Sequence, residues 1–335
     1  MKQLSIDAPG GLDRLRLVDA AEPGAPGPGE IRVRVQASSL NYHDYLVVSG
    51  GSRTADGRIP MADGAGVVES VGEGVEEFAA GDTVVSCFFP LWQDGPPVDA
   101  DFSRVPGDGL DGYGREVVVR PATWFTRAPA GWSAAEAATI PTAGVTAWRA
   151  LVVDGGLRAG EVVLALGTGG VSVYAVQLAK AMGATVVATS SSAEKLERVR
   201  ELGADHVLNY REDPQWGRTV QELTGGRGAD HVVEVGGPGT LSQSLRAVRI
   251  GGHISLVGVL TGRGGEVPTA LLMAKQARLQ GLIVGSRRDQ ADFVRALEST
   301  GIRPVIDRRH GLADAAEAFR TMEEARHFGK IVLEH

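Results

Sequence analysis

The stretch that most restricts the fold is an apolar run, Val162–Leu166, that passes directly into Gly167-Thr168-Gly169-Gly170-Val171-Ser172 and then into helical spacing. A strand without polar interruption needs cover on both faces. A helix entered through a glycine turn supplies that cover, and strand, turn and helix together form the repeating unit of a parallel sheet. The unit recurs: residues 185–189, 231–235, 253–257 and 279–284 are further apolar runs, the last expected as a sixth strand at the sheet edge. Residues 171–182 and 193–202 carry helical spacing and stop at Gly183 and Gly203, which stand where C-caps belong. In the turn, Gly167 permits a tight reversal and Gly169 lets backbone approach a pyrophosphate. Thr168, Gly170 and Val171 open a helix whose free N–H groups and dipole favour an anion. A dinucleotide is the expected occupant, with Ser172 replacing the third glycine of the usual fingerprint.

The end of the second strand selects the dinucleotide. NAD sites place an acid about 20 residues beyond the first glycine to hold the ribose 2′-hydroxyl, but here the strand ends in Ser190, Ser191 and Ser192, followed by Lys195. Hydroxyls and a cation suit an extra phosphate, so NADP(H) is expected. Glu194 belongs to the following helix and is expected to face solvent. Ligands of open parallel sheets sit at the carboxyl ends of strands. Gly236, after the fourth strand, and Val257, Gly258 and Val259, after the fifth, are therefore expected at the nicotinamide ribose, with Thr146 in the same neighbourhood.

Before this region the chain has another character. Up to about residue 119 it reads as short strands broken by Gly and Pro, at 31–35, 66–71, 83–86 and 115–119. Residues 91–114 form a loop longer than compact domains usually carry without a functional reason. A length of 335 residues exceeds what one core serves, so two domains are expected: 1–128 with 288–335, and 129–287. A net charge of -7 without clustered Lys and Arg argues against nucleic acid as a partner. Cys87 is the only cysteine, which removes an intrachain disulfide and a four-cysteine zinc lobe. No run reaches the roughly 18 apolar residues of a membrane span, and Met1 to Gly11 lacks a secretory signal, so a cytoplasmic protein is expected.

Several motifs in order give the chain a family likeness. Gly64-Ala65-Gly66-Val67-Val68-Glu69-Ser70-Val71-Gly72, Gly81-Asp82-Thr83-Val84, Gly144-Val145-Thr146-Ala147-Trp148, the glycine turn and Gly329-Lys330-Ile331-Val332 together resemble the medium-chain dehydrogenase/reductases, in particular the zinc-lacking quinone oxidoreductases. The resemblance implies an α/β fold in which a doubly wound Rossmann sheet joins a β-rich GroES-like catalytic domain. It also implies that Lys195 and Tyr210 hold the 2′-phosphate, that Lys330 belongs to the cofactor site, and that the chain is a homodimer or a dimer of dimers paired through its edge strands. In the zinc alcohol dehydrogenases that this pattern also resembles, a metal-binding Cys precedes a relay Ser or Thr by two residues. Here those positions are Asn41 and His43. The next ligand position is Ala62, and the third falls in Pro141-Thr142-Ala143, so no metal is expected. Without a Lewis acid, hydride transfer is expected only to an acceptor that is already electrophilic, a quinone, enone or other activated small molecule.

Asn41, Tyr42 and His43 are the candidate catalytic residues, Asn41 either as a hydrogen-bond partner of substrate or merely as a filler of the ligand gap. His43 takes the place of the relay hydroxyl, and an imidazole titrates near neutral pH; a histidine hydrogen-bonded in the site wall is the competing reading. Tyr45, Phe88, Phe89 and Trp92 are candidates for a pocket around a flat acceptor, with Phe102 nearby; a loop packing its own side chains would look the same. Two further functions stay open: metal-free reduction of a ketone or aldehyde, and a non-catalytic NADPH-binding structural or sensory role.

Overall fold

The computed structural model describes residues 1–52, 54–102 and 104–335. The chain divides into two compact units, Met1–Val145 with Val284–His335, and Thr146–Ile283. In chain order the first unit carries β1 (Lys2–Ile6), β2 (Leu15–Asp19), β3 (Glu30–Ser39), α1 (Tyr42–Val48), β4 (Asp63–Val71), β5 (Thr83–Ser86), β6 (Val117–Pro121), β7 (Phe125–Arg127) and α2 (Ala134–Ala137). After α3 (Val145–Trp148) the second unit runs through β8 (Val162–Leu166), α4 (Gly170–Ala181), β9 (Thr185–Ser190), α5 (Ala193–Glu201), β10 (His206–Asn209), α6 (Trp216–Leu223), β11 (Ala229–Glu234), α7 (Pro238–Ala247), β12 (Val248–Leu256), α8 (Thr269–Ala274) and β13 (Arg278–Gly281). The chain returns to the first unit with α9 (Arg287–Thr300), β14 (Ile306–Gly311), α10 (Ala315–Glu323) and β15 (Lys330–Glu334).

The second unit is a parallel sheet in the order β10-β9-β8-β11-β12-β13, the strand order of doubly wound nucleotide-binding sheets. Its strands are buried as their apolar runs require: Val163, Leu164, Ala165, Val186, Val187, Val232, Val233 and Ile254 are all inaccessible to solvent or nearly so. Each such Val, Leu or Ile side chain contributes about 1.5–3 kcal/mol. The helix boundaries fall within a residue of those read from the sequence, because the side-chain cap at Ser192 and the left-handed glycines Gly183 and Gly203 are local signals. The sixth strand differs. It occupies Arg278–Gly281 rather than 279–284, and Val284 adopts φ +47, a left-handed conformation that ends an extended run. β10 went unread: its four residues are only half-buried and mimic a loop.

The first unit is built on a largely antiparallel sheet, β14-β15-β3-β4-β5-β7 with β6 on β3, and a separate β1-β2 hairpin. β3 alternates as a half-buried strand should, with Ile31, Val33, Val35 and Ala37 inward. The boundary between units lies later than residue 129, because α2 packs on β3, β4 and β5 and so belongs to the β-rich unit. The 91–114 loop, of which Ser103 lies outside the described residues, is tied down by the first turn of α9, where the N–H groups of Arg287 and Arg288 donate to the carbonyls of Trp92 and Gln93 at 2.9 and 3.0 Å. No helix among the described residues is long and apolar enough to cross a membrane.

Candidate active site and dinucleotide-binding strand ends

In the second unit the turn after β8 places Gly167 at φ +74, where a side chain would strain the backbone. Gly169 is different. Its φ of -77 suits any residue, and a Cβ there would meet no protein atom within 4 Å. Neither conformation nor packing demands glycine at 169, so the open space is room for a ligand at the start of α4. By contrast a Cβ on Gly236 or Gly258 would lie 2.3 Å from Thr240 Oγ1 or 2.5 Å from the Val235 carbonyl oxygen, so protein packing alone explains those glycines. Ser172 fits where a third glycine is usual by donating its hydroxyl to the Leu166 carbonyl at 2.6 Å.

The ends of β9 and β10 lie side by side, with Ser190 opposite Asn209 and the Tyr210 N–H donating to the Ser190 carbonyl at 3.2 Å. Ser190, Ser191, Ser192, Lys195 and Tyr210 therefore gather around the entrance to α5. Ser190 Oγ accepts from the Ser192 N–H and Ser192 Oγ from the Lys195 N–H, both at 3.3 Å. Each hydroxyl so oriented keeps its own proton to donate, and Glu194 is exposed on α5. After β11, the buried Glu234 accepts from the N–H groups of Gly236 and Gly237 and from the hydroxyls of Thr240 and Ser244, which fixes the loop at the fourth strand end. Val257 continues from β12 through its N–H to the Glu234 carbonyl, and Val259 is exposed. Thr146 is buried at the start of the unit.

In the first unit, α1 is entered through a capping box: the Asn41 N–H donates to Asp44 Oδ2 at 2.9 Å. Asn41 is the hub of a buried charge cluster. Its Nδ2 donates to the Ser39 carbonyl, to Asp44 Oδ2 and, at 2.8 Å, to Asp63 Oδ2, while its Oδ1 accepts from the Lys330 ammonium. Lys330 also donates to the Leu40 carbonyl, and Thr142 donates to Asp63 Oδ1 at 2.6 Å. Burial lifts the Asp63 carboxyl to about 6 against the pull of Lys330. Burial likewise lowers the Lys330 ammonium, with Asp63 and Asp44 opposing. Lys330, expected among the cofactor residues, thus spends its ammonium inside this cluster. Asn41, expected to meet substrate, has both amide protons and its oxygen engaged.

His43 lies beside the cluster. Its Nε2 is 3.4 Å from Asp108 Oδ2, its Nδ1 is 3.9 Å from Asp44 Oδ1, and its ring meets the edge of Phe88 at 5.2 Å. Burial opposes its charge, but the carboxylates of Asp108 and Asp44 outweigh burial and raise the imidazole to about 9. The ordinary near-neutral titration expected from the sequence is thereby displaced: the ring is a cation at neutral pH. Phe88, Phe89, Trp92 and Phe102 pack on one another, with Phe88 on Phe89 and Phe89 on Phe102 each at 4.7 Å. The first three are buried, so the loop packs its own aromatics. Tyr42 is 47% exposed and stacks on Tyr45 at 5.8 Å. The Tyr45 hydroxyl donates to Glu323 on α10 at 2.6 Å, and that bond pushes its pKa up to about 12.

Comparison with known proteins places this geometry. Residues 27–130 match the alcohol dehydrogenase GroES-like domain, and residues 170–300 match the zinc-binding dehydrogenase family. A zinc-type alcohol dehydrogenase-like protein of Schizosaccharomyces pombe is 39% identical over 333 residues, covering 96% of this chain and 96% of its own. The chain belongs to the medium-chain dehydrogenase/reductase superfamily. Two solved structures share the whole fold. An alcohol dehydrogenase candidate from Sinorhizobium meliloti 1021 has a TM-score of 0.94 at 43% identity, with 100% of this chain and 98% of that one covered. An NAD-dependent alcohol dehydrogenase has a TM-score of 0.91 at 36% identity, with 100% of each chain covered. As a medium-chain dehydrogenase/reductase, the protein is an alcohol dehydrogenase-like oxidoreductase with a nucleotide-binding sheet. Reading for superfamily motifs finds the glycine turn, but passes over Asp44, Asp63, Thr142 and Asp108 as functional groups. The first two directly follow positions weighed as metal-site counterparts, Asp44 after His43 and Asp63 after Ala62, and could have been found as acids in segments that otherwise read as core. Asp108 sits in a Gly- and Asp-rich loop where nothing local distinguishes it.

Proposed function

We propose that the protein is an NADPH-dependent reductase that delivers hydride to a quinone, enone or other activated small-molecule acceptor without a catalytic zinc. The observation that carries this reading is the saturated hub at Asn41. At the matched ligand positions stand an amide engaged by Asp44, Asp63 and Lys330, the side chain of Ala62, and Thr142, whose hydroxyl is committed to Asp63. Such a donor set has no thiolate or imidazole to offer zinc, and its central cation is already an ammonium. The cofactor, held at Gly167 to Val171 and at Ser190 to Ser192 with Lys195 and Tyr210, supplies the hydride. His43, cationic at neutral pH, supplies a proton.

That proton supports a second reading, metal-free reduction of a ketone or aldehyde, because a carbonyl gains most from an acid at its oxygen. A panel of quinones, enones and aldehydes followed by NADPH absorbance, with product analysis, tests both readings. Loss of a quinone or C=C is expected, and formation of an alcohol alone would turn the assignment to the second. Tight NADPH binding with no oxidation by any acceptor would leave a binding protein. We further read the chain as a cytoplasmic homodimer or dimer of dimers joined through β13, the edge of its sheet. Light scattering checks the assembly, and a monomer at working concentration would remove it.

A further inference from the structure

We propose that the first unit holds a small oxyanion, a carboxylate or inorganic phosphate, in the Nε and Nη2 fork of Arg115, with the Tyr113 hydroxyl as a further donor. Both fork nitrogens and the Tyr113 hydroxyl are buried and have no hydrogen-bond partner among the described residues. Tyr113 is 1% exposed. A phenol in a core usually finds a partner, and an unanswered guanidinium is costlier still, because a buried charge needs a counter-charge.

The neighbouring side chains do not supply one. Asp111 is the carboxylate that acts on Arg115, but its Oδ1 is taken by Arg58 at 2.9 Å. Arg120 adds a further cation; its guanidinium donates to the carbonyls of Val119 and Asp111 at 3.1 and 3.2 Å and lies over the Trp124 ring at 5.8 Å. Burial, with Arg120 behind it, lowers the Arg115 guanidinium to about 10 against Asp111 and Tyr113. Burial raises the Tyr113 phenol, and Arg120 and Arg115 are the cations that oppose it. Fork, phenol and Arg120 thus share one neighbourhood in which positive charge is in excess, within a chain whose net charge is -7. The backbone fixes the fork: the Arg115 N–H donates to the Tyr113 carbonyl at 2.7 Å, and Gln3 pairs across from Arg115. Arg115 as a whole is half-buried, so the site lies just below the surface. Nε–H and Nη2–H stand side by side in the guanidinium plane and match two oxygens of a carboxylate or phosphate in a bidentate contact. A water can accept one of these protons but brings no charge. A halide brings charge but no pair of oxygens.

The test is thermal unfolding of the parent, Arg115→Met and Tyr113→Phe, with sodium acetate or sodium phosphate replacing sodium chloride at constant ionic strength. The parent Tm should rise by about 2–5 °C in at least one oxyanion, because a ligand that binds only the folded chain stabilises it. Phosphate also suits the turn at Gly167, so the reading is the part of the rise that Arg115→Met removes. That variant should fold, since it loses no side-chain partner among the described residues, and its apparent oxyanion affinity should fall by tenfold or more, the scale of one charge-assisted hydrogen bond at about tenfold to hundredfold. Arg115→Lys keeps the charge without the fork and should lose the same part, which covers a failure of the Met variant to fold. Tyr113→Phe should weaken the response about tenfold. Crystals grown in the oxyanion that acts should show it on the fork. An oxyanion rise kept in full by Arg115→Met and Arg115→Lys, an equal rise in chloride, or only water at the fork would overturn the site. A rise kept in full by Tyr113→Phe would overturn the part given to the phenol.

Discussion

The strand ends of β9 and β10 and the buried centre at α1 are both polar, yet they treat their polar atoms in opposite ways. Around Asn41 every strong group is answered from within: two carboxylates, an amide and an ammonium satisfy one another out of water. Around Ser190 the hydroxyls accept from backbone and keep their protons to give, Tyr210 is 42% exposed, and the nearby turn leaves empty space at Gly169. A closed cluster of this kind is structure, because an incoming ligand would have to break bonds that burial makes costly to lose. Serine hydroxyls at a helix N-terminus that keep protons to donate suit the dinucleotide phosphate that we propose there, because such donors can bond an arriving anion.

The sharpest way to break that contrast is to remove the cation from the closed cluster. Lys330→Met should destabilise the protein by about 3–5 kcal/mol, since it leaves buried carboxylates uncompensated. Denaturant unfolding checks this, and a loss under about 1 kcal/mol would show that the cluster is not closed.

Gly169→Ala probes the open side. Its Cβ meets no protein atom within 4 Å, so stability should change by about 1 kcal/mol or less, the scale of an N-cap exchange. Dinucleotide affinity should fall about a hundredfold, some 2.7 kcal/mol. Calorimetric titration beside thermal unfolding separates the two, and unchanged affinity would mean the space serves no ligand.

Lys195→Ala should cost NADPH about ten- to hundredfold, the loss of one charge-assisted hydrogen bond at about 1.5–3 kcal/mol, and leave NADH nearly untouched. Because a similar solved structure is an NAD-dependent enzyme, equal affinity of the parent for both cofactors is the result that would end the NADP assignment.

The smallest effect is expected from chelation. Dialysis against a strong chelator should leave activity unchanged and elemental analysis should find far less than one zinc per chain, as the donor set at Asn41, Ala62 and Thr142 implies. Activity lost on chelation and restored by zinc would place a metal in the cluster after all.

Much of the fold was legible because its signals are local. Apolar runs mark β8, β9, β11 and β12, and Ser192, Gly183 and Gly203 bound the helices between them. Where the signal was weak, reading stopped short. β10 is four half-buried residues, and the sixth strand stops at Gly281, with Val284 left-handed beyond it, which no apolar pattern records.

The sequence by itself determined the alternation that makes a doubly wound sheet, the glycine turn, the absence of an acid at the end of β9 and the amide at Asn41. Each follows from residue types at short spacing, where backbone conformation and side-chain chemistry act within a few bonds. Only the tertiary structure decided that Lys330 closes a cluster on a residue 289 positions away, that Asp108 stands against His43, and that Phe88 and its neighbours bury one another. Those outcomes depend on which distant segments share a desolvated space. Burial there lifts Asp63 to about 6, while the carboxylates of Asp108 and Asp44 raise His43 to about 9 against burial; burial and the approach of Asp108 are properties of the folded chain, absent from any short stretch of it.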